Sequence, residues 1–429
     1  MDEATVVRHA RAEPRLRTDV FLTFGGKAAT LLFGLLIVVA VSRELGPSGQ
    51  GLFAVAYSLT LLLAQLGGLG LTTANPYFTA REPQRRQGIV SNSLWLAATL
   101  GVLLIFAGLA LRAIAPDAVQ GLGWEPLIVT LVGIPAALAA LFLQSVLLGE
   151  SRMVAYNGVE ALQAALTLAA LLIGFAAFDF GLTGALAVLT AGRYAAVAAY
   201  LALLAPRRAT FDATLARRML TYGLRAYVAI VVSFLVIRLD LLLVNGYLGA
   251  SEAGLYSVAA TIADGMLVLP MVVALNLFPR VARSDSHEQT AEVFRSLAVL
   301  YGAVCVLTIP LAQAIPLVFG EAFEGSISLY YWLLPGVFCL GMLTVLAHHF
   351  AGRGYPREAA AIWFVGLALN IAINVAFLPG RGAWVASLAS SIAYAVLLAL
   401  HLWLFVREAG SLGVLRPRAG EIVRMVRGR

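Results

Sequence analysis

Twelve apolar stretches, separated only by short breaks, leave this chain one environment in which to fold. They lie at about 19–42, 50–75, 88–111, 126–148, 153–177, 181–205, 219–247, 253–279, 293–318, 326–350, 359–378 and 383–406. Each can cross about 30 Å of hydrocarbon at about 1.5 Å per helical residue. Inside lipid no water satisfies the backbone N–H and C=O groups, so such stretches must be helices. Composition agrees: 61% of the 429 residues are hydrophobic and 12% are charged, about half the charge of a soluble domain. The pattern predicts an all-α integral membrane protein with twelve transmembrane helices.

The basic residues orient these helices. With the N-terminus inside, 23 of the 30 Lys and Arg residues fall on the inner side, and only Arg43, Arg112 and Arg381 fall outside. Inner loops of membrane proteins carry such an excess. This predicts a multi-pass protein of the inner (cytoplasmic) membrane with both termini cytoplasmic. The first stretch is longer than a signal h-region and takes part in a repeat, so it reads as a span, not a leader. The net charge of +7 follows topology and forms no stripe, which argues against a nucleic-acid partner. Cys305 and Cys339 lie inside apolar stretches and read as small core residues.

The chain repeats itself. Residues 45–56 read LGPSGQGLFAVA and residues 248–259 read LGASEAGLYSVA. Seven of these twelve positions are identical at a constant offset of 203. The same offset places Pro76 on Pro279 and Gly149 on Gly352. Six helices separate the copies, an even number, so the copies run parallel around an axis along the membrane normal. The expected organisation is a cytoplasmic segment 1–18, a six-helix lobe 19–205, a cytoplasmic linker 206–218, a second six-helix lobe 219–406 and a basic cytoplasmic tail 407–429. Two related lobes around a central cavity imply alternating access for a solute.

The two hairpins, LGPSGQGLFAVAYSL and LGASEAGLYSVAATIADGMLVLP, resemble the signature hairpins of polysaccharide flippases. Arg238-Leu239-Asp240 before the second hairpin, and Pro270 and Phe278-Pro279-Arg280 after it, fit the same pattern. These flippases, Wzx-like O-antigen and exopolysaccharide exporters, belong to the MOP/MATE exporter superfamily. Lipid II flippases, usually with fourteen spans, fit less well. The resemblance implies movement of an undecaprenyl-pyrophosphate oligosaccharide between leaflets during polysaccharide biosynthesis. It implies no cofactor, membrane lipids as surroundings, and a polysaccharide polymerase or glycosyltransferases as partners.

Four cations fall within the spans: Lys27, Arg193, Arg225 and Arg238. The acids there are Glu160, Asp240 and Asp264. A charge at the helix centre costs about 2.5–3.5 kcal/mol on insertion scales, so each cation needs water, a counter-ion or a ligand. Arg238 with Asp240 or Asp264 reads as an ion pair, either structural or gating. Lys27 and Arg225 occupy similar depths on repeat-equivalent helices, where snorkelling to the inner surface is the bland alternative. Arg193 lies too deep for that, and Glu160 is the nearest acid for Lys27 or Arg225. A vestibule lined by Lys27, Arg193 and Arg225 suits a pyrophosphate headgroup, because guanidinium forks match phosphate oxygens.

Gln65, Gln144, Asn157, Gln163, Asn245, Asn276, Asn370 and Asn374 read either as a sugar path or as interhelical hydrogen bonds. Gly67, Gly68 and Gly70 permit bending or close packing. No carboxylate stands at ligand spacing in sequence from His348, His349 or His401, so no metal site is expected. The loops hold no acidic pair beside a histidine and no phosphate-cradling motif, so catalysis is not expected either. Two other functions stay open. A MATE-type multidrug or metabolite antiporter shares the layout, although cation exporters want buried acids and this chain's span charges are mostly basic. A non-transporting membrane scaffold of a glycan synthase is the third reading, and the basic tail Arg416–Arg429 supports it.

Overall fold

The computed structural model describes residues 3–206, 210–274, 277, 287–353 and 356–410, leaving aside the side chains of 3–24, 118, 225 and 226. The described chain is helical, with no strand. In order, α1 spans Glu3–Gly67, α2 Leu71–Arg81, α3 Arg86–Ile114, α4 Trp124–Gly149, α5 Met153–Phe178, α6 Leu182–Leu204 and α7 Ala213–Leu248. α8 follows at Ala250–Met266, and α9 is described over 268–274. Then come α10 at His287–Leu311, the short α11 at Ile315–Phe319, α12 at Gly325–Gly352, α13 at Arg357–Arg381 and α14 at Trp384–Ala409. Eleven helices among the described residues are long and apolar enough to cross a membrane. The first of these, Gly25–Gly67, runs 43 residues, and the twelve-span reading counts it as two. The other calls that fall on Asn276, Phe278-Pro279-Arg280 and the tail lie outside the described residues.

α1 is not one straight helix. At Gly46 the backbone turns to φ 63°, ψ −173°, a region that side chains beyond Cα make essentially inaccessible. The repeat-equivalent Gly249 adopts φ 87°, ψ 177° between α7 and α8. The two glycines 203 residues apart therefore do the same job. The helices that follow repeat as well. α3, α4, α5 and α6 start at 86, 124, 153 and 182, and α10, α12, α13 and α14 start at 287, 325, 357 and 384. The second helix of each repeat is also interrupted. Leu69 (φ 44°) and Gly70 (φ 75°) break the chain between α1 and α2, and a turn at Leu267 separates α8 from α9.

Contacts divide the chain into two compact units. The first comprises residues 1–44, 56–116 and 122–228, and the second comprises 45–55, 117–121 and 229–429. α1 and α7 thus each contribute to both.

In the first unit α4 is the central helix, its most apolar window 61% buried, against 17% for the window in α3. In the second unit the repeat-equivalent α12 is central at 67%. Outer helices present large apolar side chains outward: Leu103 and Phe106 in the first unit, Val306 and Leu307 in the second. In water such faces would be a liability; in lipid they are what the bilayer solvates. Packing in the first unit includes one backbone-to-backbone crossing, where a Cβ built on Gly70 would lie 2.2 Å from the Gly223 carbonyl oxygen. This gives Gly70 of the 67–70 cluster its packing role.

Candidate functional site

The two repeat hairpins meet inside the second unit, and they meet reciprocally. A Cβ on Gly51 would lie 1.8 Å from the carbonyl oxygen of Ala250, and one on Gly254 would lie 1.9 Å from that of Pro47. Gly51 and Gly254 are repeat equivalents, as are Pro47 and Ala250. The contact is therefore isologous, with each hairpin giving the other the same pair of positions. Next to it Gln50 donates from Nε2 to Ser257 Oγ at 3.1 Å, and Asn245 donates to the Gln120 carbonyl at 3.0 Å. The four glycines shared by the two hairpins serve two purposes, positive φ at 46 and 249 and backbone approach at 51 and 254. That explains why both glycine pairs are among the seven identical positions.

Beyond this contact the second unit holds two intramembrane acids in different settings. Asp264 sits 2.7 Å from Arg238 Nη2, both side chains about a third exposed, at 32% and 29%. Asp240 is buried and accepts from the Tyr256 hydroxyl, from Ser390 Oγ at 2.9 Å and from the Leu241 N–H at 2.8 Å. Of the two acids offered for Arg238 by sequence position, Asp264 lies at ion-pair distance. Asp240, two residues along the same helix, instead joins α7 to α8 and α14. Asn370 donates to Ser390 and Asn374 to the Asn370 carbonyl, both fully buried. Asn370 thus ties α13 to α14 and Asn374 bonds within α13, and neither lines open space.

Arg238→Ala is expected to lower the amount of folded protein in the membrane, because it strands the Asp264 charge. Breaking a buried pair costs about 3–5 kcal/mol, and partial exposure puts this pair at the low end. Adding Asp264→Asn should restore part of the loss, read by detergent-solubilised yield and thermal stability. A double variant no better than Arg238→Ala would show that the pair does not stabilise the fold.

In the first unit the deep cations sit in separate settings. Lys27 on α1 lies 2.5 Å from Glu160 of α5, both about one-third exposed. Gln144 donates to the same carboxylate at 3.0 Å, and Lys27 stands 5.5 Å from the centre of the Tyr156 ring. The acid named for Lys27 or Arg225 is thus held by Lys27. Arg193 on α6 is buried, with its guanidinium 5.7 Å from the centre of the Tyr57 ring. Among the described residues no carboxylate stands at ion-pair distance from it. The hydroxyl of neighbouring Thr190 is spent on the Val129 carbonyl at 3.2 Å. Arg225 lies on α7, and its side chain is outside the described residues. Asn157 is also buried, donating to the Met153 carbonyl at 3.0 Å.

Sequence reading missed the polar surface where α2 ends and α7 begins. A cavity of about 550 Å³ opens there, lined by Tyr77, Phe78, Arg81, Glu82, Arg217, Arg218, Thr221 and Tyr222. Tyr77 and Tyr222 stack at 4.1 Å. Hydrogen bonding from Arg218 holds the Glu82 carboxyl below its usual range. The signal in sequence was the cluster of Arg81, Arg85 and Arg86 with Arg217 and Arg218, which topology alone already explained.

With this geometry in view, comparison with known proteins separates family from fold. The family model described as "Polysaccharide biosynthesis protein" matches residues 16–285, more than half of the chain. No curated protein matches the sequence. Among solved structures, the lipid II flippase MurJ in an inward closed conformation superposes with a TM-score of 0.73 at 12% identity, covering 95% of this chain and 96% of that one. An inward-facing MATE-family multidrug resistance transporter of the MOP superfamily gives 0.71 at 15% identity, over 89% and 94%. A MOP superfamily transporter from Pyrococcus furiosus gives 0.63 at 15% identity, over 93% and 95%. At these identities the likeness shows the fold, and it spans nearly the whole MurJ chain despite the expectation of a poorer fit. The chain is a multi-pass membrane protein of the polysaccharide biosynthesis protein family, with the fold seen in the MurJ and MATE-family structures.

Proposed function

We propose that this protein moves a lipid-linked oligosaccharide, carried on a polyprenyl pyrophosphate such as undecaprenyl pyrophosphate, from the inner to the outer leaflet of the cytoplasmic membrane by alternating access. Arg193 carries the reading. It is a guanidinium buried in a membrane-spanning helix, stacked on Tyr57, without a carboxylate at ion-pair distance among the described residues. Such a group favours an anionic cargo, since phosphate oxygens satisfy its fork and an organic cation would be repelled. Lys27 supports it from α1, with a counter-ion that an incoming pyrophosphate can displace. Arg225 is the third member of the proposed set, offered from its repeat-equivalent position. The family and the flippase fold point the same way.

In the proposed orientation the termini face the cytoplasm and the two hairpins face outward. The hairpin contact then closes the outer end, and its parting releases the headgroup while the polyprenyl tail stays in lipid. Arg238 and Asp264 serve as a structural or gating pair under the same scheme. A polymerase or glycosyltransferase acting on the exported glycan is the natural partner.

Reconstitution separates the readings. Proteoliposomes holding the purified protein should translocate a fluorescent polyprenyl-pyrophosphate oligosaccharide and leave a cationic dye in place. Dye movement without glycolipid movement would make the protein a drug antiporter. Movement of neither, by folded protein, would favour a scaffold.

A further inference from the structure

One cluster in the second unit has no part in that scheme. It lies where α10 begins and α12 and α14 end. His287, His349 and Glu408 each offer a ligand atom there, and these atoms lie within 4.8 Å of one another. His349 is fully buried, while His287 and Glu408 are each 21% exposed. The Phe405 ring packs against both imidazoles, at 5.6 Å and 5.0 Å between centres. The set is two imidazoles and one carboxylate on three helices, half sheltered from water.

We propose that His287, His349 and Glu408 form a binding site for a first-row divalent cation of the Zn²⁺ class. Three protein ligands of nitrogen and oxygen with one position left for water is a set that zinc accepts, and imidazole favours zinc over magnesium or calcium. Zinc bonds of about 2.0–2.1 Å place tetrahedral ligand atoms ~3.4 Å apart, so the side chains close in by about 1 Å. Small rotations of His287 and Glu408 supply this, because neither is packed on all sides. Thr290 Oγ1 lies 2.8 Å from His349 Nδ1. The tautomer that donates that proton leaves Nε2 as the ligating lone pair. Outer-shell hydrogen bonds of this kind orient metal-bound histidines.

The cluster already recognises a cation. Arg353 Nη1 lies 2.6 Å from His287 Nε2, and its Nε lies 3.7 Å from Glu408 Oε2. The guanidinium therefore competes with a metal for the same lone pairs. It sits one residue past α12 and is 25% exposed, so it can swing into solvent when a metal enters. Sequence spacing hid this arrangement, since Glu408 is 59 residues from His349 in the chain.

The test uses the full chain, purified in detergent without a histidine tag and stripped with a chelator. Titration with Zn²⁺ against a chromophoric chelator should show a single tight site, with a rise in melting temperature. His287→Gln and Glu408→Gln, both at partly exposed positions, should remove it. Thr290→Val should weaken binding roughly 10- to 100-fold, the usual effect of losing an outer-shell partner. Arg353→Gln should tighten it, an outcome that a merely structural ion network would not give. The proposal is overturned if the wild type and Arg353→Gln both fail to bind Zn²⁺. It is overturned equally if folded His287→Gln and Glu408→Gln bind Zn²⁺ as the wild type does.

Discussion

Tying the two glycine hairpins together is expected to stop transport completely and reversibly. Gln50 and Ser257 stand across the contact, 3.1 Å apart at their polar tips. In a chain whose own Cys305 and Cys339 are replaced by alanine, Gln50→Cys with Ser257→Cys places two thiols there. A short bifunctional thiol reagent should then lower glycolipid translocation to the level of empty vesicles, and reduction should restore it. Each single-cysteine variant should transport normally under the same reagent. The reason is geometric. The helix backbones touch at Gly51 with Ala250 and at Gly254 with Pro47, so there is no slack through which a headgroup can leave while they are joined. Protein shown by digestion to be cross-linked, yet transporting at the untreated rate, would remove the hairpins from the transport path.

The second large effect is expected at the deep cations. Arg193→Gln should leave the protein folded and inserted, because the amide keeps a polar tip and removes a charge that is costly in the membrane. Translocation should nevertheless fall roughly 10- to 100-fold, since a hydrogen bond to a charged group is worth about 1.5–3 kcal/mol. Lipid-linked precursor should accumulate inside the cell. Arg193→Lys should retain part of the activity, because charge survives while the fork and the stacking on Tyr57 do not. Arg225→Gln should behave like Arg193→Gln. Lys27 differs, because Glu160 is its partner: Lys27→Gln should lose folded protein, and Glu160→Gln added to it should restore the fold but not the transport. Full translocation by a folded chain carrying all three neutral replacements at 27, 193 and 225 would refute the cationic-site mechanism.

Much of the architecture was legible because the bilayer is a severe solvent. Hydropathy, the inside bias of arginine and the 203-residue repeat need no tertiary knowledge. They state which segments are apolar, where charge cannot cross, and which segments descend from one copy. Gly46 and Gly249 were visible for the same reason, since a conserved offset at glycine marks a backbone need. The break between the stretches at about 19–42 and 50–75 was legible too, whereas in the structure helix α1 runs through it to Gly67 and only the local φ and ψ at Gly46 mark the division.

Pairing of side chains was decided by tertiary structure. Depth along a helix placed Arg238 near Asp264, but it placed Asp240 equally near, and helix rotation chose between them. Asp240 turns towards Tyr256 of α8 and Ser390 of α14, whereas Arg238 meets Asp264 further along α8. Lys27 had an acid at matching depth, and only the packing of α1 against α5 made it a partner at 2.5 Å. Periodicity reports depth and face for one helix at a time; it carries no information about which face of a distant helix turns up opposite. The same holds for His287, His349 and Glu408, which three helix ends bring together from positions 287, 349 and 408. The sequence by itself determined a membrane bundle with two related halves, because apolar length and charge asymmetry are properties of single segments. Which cation meets which acid is a property of pairs of segments, and only the packed structure specifies it.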